Sequence, residues 1–170
     1  MLLNHTKQDV DTIILWNKMI KDDTYYMRIA LNEAKKAYQK NEVPVGACIV
    51  CDGKVIARGH NLRENRKDVT KHAEIVAIQK ACKNLNRWIL DDCIIYITAE
   101  PCLMCAGAIS QARIKKIVYG VASPKYGVCE SVCDITNNQK IFTNVVINKG
   151  ILKEEIEKLM KDFFKGLRKQ

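Results

Sequence analysis

The chain has 170 residues, 48% hydrophobic and 28% charged, enough for one compact domain with a core of its own. No apolar run approaches the roughly 20 residues that a membrane span requires, and Met1 to Lys7 lacks the charged-then-apolar order of a secretory signal. A cytoplasmic location without a membrane partner is the expectation. The formal net charge of +9 favours polyanionic partners, nucleic acid first, although general solubility accounts for the charge about as well.

Residues 1–21 read as an N-terminal extension of unknown role, because Ile13-Ile14-Leu15-Trp16 is apolar but ringed by charges. Regular patterning begins after it, and residues 22–170 contain no repeat or Pro/Gly-rich linker that divides them. Tyr26, Ile29, Ala30, Ala34, Ala37 and Tyr38 recur at helical spacing, with Thr24 as the expected N-cap and Pro44 and Gly46 ending the helical region. Ala47–Val50 and Val55–Ala57 are strand-like runs joined by Asp52-Gly53, a strong two-residue hairpin signal. Helical spacing returns with Ile75, Val76, Ile78, Ala81 and Leu85, and Ile94–Thr98 reads as a buried strand. Pro101 is expected to open a helix running to Ala112. A strand over Ile114–Tyr119, a loop with a short helix, a strand over Val145–Ile147 and a basic amphipathic helix over Glu154–Leu167 complete the chain. Strands alternating with helices, after an opening hairpin, predict an α/β sandwich with a mixed sheet and helices on both faces.

Two segments carry the chemistry: His72-Ala73-Glu74 and Pro101-Cys102-Leu103-Met104-Cys105. A catalytic zinc takes three protein ligands in a tetrahedron and keeps the fourth position for water. Cys102 and Cys105 face the same side of a helix start, where the dipole favours the metal-binding thiolate. His72 supplies the third ligand. Glu74, two residues on, reaches the fourth position without being a ligand and can move protons there. Each residue alone has an ordinary reading: Cys-x-x-Cys as a redox pair, His72 as a structural histidine, Glu74 as a solvated helix-start carboxylate. Their combination in one order and spacing favours the metal site.

Eight cysteines in a chain of this kind read as reduced core residues plus this one metal-binding pair, not as a disulfide framework. A rival four-sulfur site would add Cys48 and Cys51, but strand residues three apart point to opposite faces. Cys129 and Cys133, at helical spacing, read as packing residues.

His-x-Glu followed by Pro-Cys-x-x-Cys resembles the signature of the cytidine deaminase superfamily. Glu42-Val43-Pro44-Val45-Gly46-Ala47, Gly59-His60-Asn61, Glu100 to Ile109 and Asp162-Phe163-Phe164 narrow the resemblance to the tRNA-specific adenosine deaminases. The resemblance implies a cytidine deaminase-like three-layer α/β/α sandwich with a five-stranded sheet, making residues 22–170 a single zinc-dependent deaminase domain. It implies one Zn2+ per chain on His72, Cys102 and Cys105, and Glu74 as proton shuttle. It also implies a homodimer with the pocket near its interface, and hydrolysis of adenosine to inosine at the wobble position of a tRNA anticodon loop. Asn61 matches the residue that reads the purine edge, the backbone at Ala73 matches a base contact, and Pro44 and Val45 match the pocket wall. Two positions depart from the family pattern: Ser123, where Asp or Asn is frequent, and Phe142-Thr143, where Asn-His is frequent. The alternatives are a free-base or nucleoside deaminase acting on guanine or cytosine, and a catalytically silent RNA-binding subunit. The presence of Glu74 argues against the silent subunit.

Overall fold

The computed structural model describes residues 22–168; the proposed extension with Ile13–Trp16, and Lys169, lie outside the described residues. In chain order the elements are α1 (Asp23–Gln39), β1 (Gly46–Cys51), β2 (Lys54–His60), α2 (Arg63–Arg66), α3 (Ala73–Leu85), β3 (Cys93–Ala99), α4 (Leu103–Gln111), β4 (Lys116–Val121), β5 (Val146–Lys149) and α5 (Lys153–Leu167). Asp52 and Gly53 both take positive φ (47° and 67°), the tight-hairpin geometry that their sequence predicts. The sheet order is β2-β1-β3-β4-β5, with β1 antiparallel to both neighbours and β3, β4 and β5 parallel.

Alternation along the strands builds two cores. Ala47, Ile49, Ile95, Ile97, Ile117 and Tyr119 point to one face, where Ala73, Ala77 and Ala81 of α3 and Ala106 and Ile109 of α4 cover them. Cys48, Val50, Tyr96 and Val118 point to the other face, against Tyr26, Met27, Ala30 and Leu31 of α1 and Ile156 of α5. The fold is therefore the expected three-layer sandwich with a mixed five-stranded sheet. Cys48 and Cys51 belong to opposite faces, as period-two alternation requires. Small residues set how closely the helices approach. A Cβ on Gly46 would lie 2.1 Å from the Ala30 carbonyl oxygen, and one on Gly59 2.3 Å from that of Ala73, so α1 and α3 rest directly on sheet backbone.

Three local expectations are corrected. The cap of α1 is Asp22, not Thr24, because the Asp22 carboxylate accepts the Tyr25 N–H at 2.8 Å. Pro101 precedes its helix instead of opening it: Cys102, in extended conformation, is the N-cap residue of α4. The segment between β4 and β5 forms turns where a short helix is expected. There Asp134 takes the N–H groups of Thr136 and Asn137, and Glu100 takes those of Cys129, Glu130 and Ser131, so side chains replace the helical ladder. Within that segment Cys129 is buried, but Cys133 is exposed and does not pack.

The start of α1 is tied to three strands through one carboxylate. Asp23 accepts from Tyr96 (2.7 Å), Lys116 (3.0 Å) and Asn148 (2.7 Å). Burial works against its charge, but these three donors hold its pKa below the ordinary value of 3.8. A lowered acid pKa gives stability that is present above the unfolded value and lost as pH falls through the folded one. Asp23→Ala should lower unfolding free energy by about 2 kcal/mol at neutral pH, since it removes several charge-assisted bonds at a partly exposed site. The difference from wild type should shrink below about pH 4 in urea titrations.

Candidate active site

α3 and α4 start side by side at the end of the sheet where β3 stops. His72 caps α3 in extended conformation (φ −71°, ψ 156°), and Cys102 does the same for α4 (φ −78°, ψ 171°). Neither side chain caps its own helix, which leaves both turned toward each other. His72 Nδ1 lies 3.6 Å from Cys102 Sγ and 3.6 Å from Cys105 Sγ, and the three donor atoms all fall within 4.8 Å of one another. Cys105 is fully buried while His72 and Cys102 are partly exposed, so the cluster is accessible from one side.

Hydrogen bonding from Cys105, and then from His72, brings the Cys102 thiol down to about 4. Its partner Cys105 is pushed the other way by that bond and by burial. The three donor atoms lie close enough to one another to hold one divalent cation. The donor set suits zinc, which favours sulfur and imidazole ligands. Glu74 lies next to the cluster, interacting with His72, Cys102 and Cys105. It is 4% exposed, burial raises its pKa, and its Oε2 is the one fully buried side-chain oxygen or nitrogen without a partner among the described residues. Such an orphan costs roughly 1–3 kcal/mol, and a water aimed at it is what a proton-shuttle role requires.

The residues that the resemblance assigns to the base are brought to the same end. The Asn61 N–H donates to the Val45 carbonyl at 3.0 Å, joining β2 to the Pro44-Val45 entry of β1. The Leu62 N–H donates to the Lys71 carbonyl at 2.9 Å, closing the α2 loop so that Asn61 and His72 flank its two ends. Pro44 and Asn61 are buried and Val45 is half-buried. Ala73 has no exposed surface and is the first residue of α3, where an N–H has no intrahelical acceptor.

Two buried carboxylates escaped the sequence reading. Glu42 accepts from Asn61, Glu64 and Asn65. Glu100 accepts the N–H groups of Ser123, Cys129, Glu130 and Ser131 at 2.8–3.0 Å, as well as the Ser131 hydroxyl. It thereby folds residues 123–131 back onto the Cys102 strand end, where Gly127 bridges to Cys102. The only local signal was an acidic residue beside a proline-containing apolar stretch. The departures from the family pattern have structural roles here: Ser123 gives its N–H to Glu100, and Phe142 is 2% exposed within the α3/α4 core, with Thr143 on the surface.

A second donor group, Cys51, Asp92 and Cys93, lies at the opposite end of β1 and β3. Arg87 already neutralises it, at 2.5 Å from Asp92 and 3.9 Å from the Cys51 sulfur.

The chain matches the MafB19-like deaminase model over residues 21–168. It is 41% identical over 148 residues to the tRNA-specific adenosine deaminase of Bacillus subtilis (strain 168), covering 87% of this chain and 92% of that protein. A tRNA:A34 deaminase structure, from work on A-to-I editing at the wobble position of transfer RNA, superposes with a TM-score of 0.77 at 40% identity. It covers 80% of this chain and 99% of its own. A guanine deaminase from Bacillus subtilis superposes over 57% of this chain and 62% of its own, at 43% identity and a TM-score of 0.55. The chain belongs to the MafB19-like deaminase family and stands among the tRNA-specific adenosine deaminases.

Proposed function

We propose that this protein hydrolyses the wobble adenosine of a tRNA anticodon loop to inosine. The observation that carries the reading is the buried Glu74, whose Oε2 has no hydrogen-bond partner and whose carboxyl interacts with His72, Cys102 and Cys105 of the donor cluster. One zinc ion per chain on those three residues would supply a water acidified to a pKa of roughly 7. Glu74 would take one proton from the attacking water and deliver it to N1 of the purine, then take the second from the hydroxyl added at C6 and pass it to the amine as the C6–N6 bond breaks and the C6 carbonyl forms. Burial that raises the Glu74 pKa suits this relay, because the protonated carboxyl is a usable intermediate state. Asn61 holds the purine edge, the Ala73 N–H lies beside the base, and Pro44 and Val45 form the wall. Conversion of adenosine to inosine in a wobble-adenosine anticodon stem-loop, read by mass spectrometry of nucleosides, tests the reading. A stem-loop that stays unchanged rejects it.

Residues 22–170 act as the catalytic domain, and a tRNA substrate implies a cytoplasmic location. No described helix is long and apolar enough to cross a membrane.

An anticodon loop brings phosphates, and Lys158, Lys161, Lys165, Arg168 and Lys169 at the basic C-terminal end of the chain are the first candidates to meet them. Ion pairs on α5 favour another surface. Lys158 pairs with Asp162 at 3.1 Å and Lys161 with Glu157 at 3.3 Å, so the face is largely neutralised. Lys165 and Arg168 have no ion pair among the described residues, and the same holds for Arg66 and Lys67 in the loop between Asn61 and His72. Each phosphate neutralised contributes about 0.7 to 0.9 to the slope of log affinity against log salt. Arg66→Ala with Lys67→Ala should reduce that slope by about 1 to 2 in filter binding of the stem-loop. Lys158→Ala with Lys161→Ala should leave it nearly unchanged. The opposite pattern would return the phosphates to α5.

A homodimer is part of the same reading. Trp88, Leu103, Tyr126 and Ile141 are large apolar side chains exposed on the single chain, between 41% and 64%. Sedimentation at micromolar concentration should show a species of twice the 19.4 kDa chain mass. A monomer alone would contradict it.

A further inference from the structure

Glu42 has no exposed surface, yet it uses both carboxylate oxygens. Oε1 accepts the Asn65 N–H at 2.7 Å and the Asn65 amide at 2.9 Å. Oε2 accepts the Glu64 N–H and the Asn61 amide nitrogen, each at 3.2 Å. An ionised carboxylate only accepts hydrogen bonds, so it dictates which end of the Asn61 amide faces it. The nitrogen turns toward Glu42, which leaves the second N–H and the oxygen for a ligand. That oxygen has no protein donor among the described residues and is not one of the fully buried orphans, so it retains some accessible surface and can take a donor from a ligand.

An amide fixed in this way offers one acceptor and one donor, side by side. The edge of adenine beyond C6 offers the complement: the N6 amino group donates and N7 accepts, the pairing by which Asn recognises adenine. We propose that Glu42 is a positioning residue for the reaction, locking the Asn61 amide in the one orientation that pairs with the purine N6/N7 edge. This rests on Asn61 reading the base, as proposed above, and adds the group that decides how it reads. With Gln at position 42 the partner can donate as well as accept, so the Asn61 amide is free to turn over. It then presents its donor to the N6 donor and its acceptor to the N7 acceptor, and the bidentate contact is lost. Glu42 also holds Glu64 and Asn65 of the α2 loop, so a purely structural role has to be separated from orientation.

The test compares Glu42→Gln, Asn61→Ala and the double variant, per zinc-loaded protein, on a stem-loop carrying adenosine or 7-deazaadenosine at the wobble position. Glu42→Gln should reduce kcat/KM for adenosine about 10- to 100-fold, in line with one bidentate base contact. On 7-deazaadenosine, which lacks the N7 acceptor, its penalty should fall to a small factor, and in the Asn61→Ala background it should vanish. Asn65→Ala, which removes loop bonds to the same carboxylate without touching Asn61, should leave kcat/KM nearly intact. Equal losses on both substrates, or an Asn65→Ala loss as large as that of Glu42→Gln, would overturn the proposal in favour of loop support. If the wild type leaves the stem-loop unchanged and instead deaminates guanine, the tRNA reading fails. The Glu42–Asn61 coupling is then measured as binding of adenine against 7-deazaadenine to the zinc-loaded variants, where equal losses on both bases reject the role of Glu42 independently.

Discussion

Glu74→Gln should keep its zinc and lose activity by a factor on the order of 10² to 10⁴, the range for removing a general acid–base group. The residue is not placed as a ligand: the donor cluster is complete without it, and its Oε2 has no protein partner. The Gln side chain preserves shape and removes an ionisable group from a buried position, so thermal stability should be unchanged or slightly higher. Metal content by elemental analysis and turnover by inosine formation are to be measured on the same sample. Wild-type turnover in Glu74→Gln would remove the proton shuttle from the mechanism. A metal-free Glu74→Gln would make the residue a ligand instead.

His72→Ala, Cys102→Ala and Cys105→Ala should each lose both metal and activity. A three-ligand site with an open fourth position has no spare donor, and each of these side chains is within 4.8 Å of the other two. The chain should remain folded without the ion, because the two cores on either face of the sheet are assembled from residues well outside the cluster. Its melting temperature should fall, since a metal that binds only the native state stabilises it by mass action. Chelation of the wild type should reproduce the loss, and added Zn2+ should restore activity to the wild type but not to the variants. A chelated, metal-free wild type that still turned over would exclude zinc from the chemistry.

The sandwich and the donor cluster were legible because both rest on short-range pattern. Alternation in β1 and β3, the Asp52-Gly53 hairpin, the His72-x-Glu74 triplet and the Cys102-x-x-Cys105 pair each occupy a few consecutive residues. Element starts shifted where a neighbouring side chain took over. Asp22 caps α1 two positions before the expected Thr24, and Cys102 caps α4 one position after the proline expected to open it. The segment after β4 reads as helical only if its N–H groups are free, and Glu100, more than twenty residues earlier, claims three of them. Glu42 is of the same kind: its partners lie 19 to 23 residues on, so no local window contains the reason for its burial. The charge pairing on α5 is local and readable from the sequence. Lys158 and Asp162, and Glu157 and Lys161, are four apart on one helix, a spacing at which opposite charges meet.

The substrate remains the central claim, because the zinc chemistry serves adenosine and guanine equally well. The most direct measurement gives the purified, zinc-loaded protein a wobble-adenosine anticodon stem-loop alongside guanine, cytosine and free adenosine. Inosine and released ammonia are quantified, and kcat/KM is compared across the four. The account predicts rapid inosine formation in the stem-loop, with turnover of the free compounds lower by orders of magnitude. Rapid ammonia release from guanine or another free compound, with no inosine in the stem-loop, would contradict it.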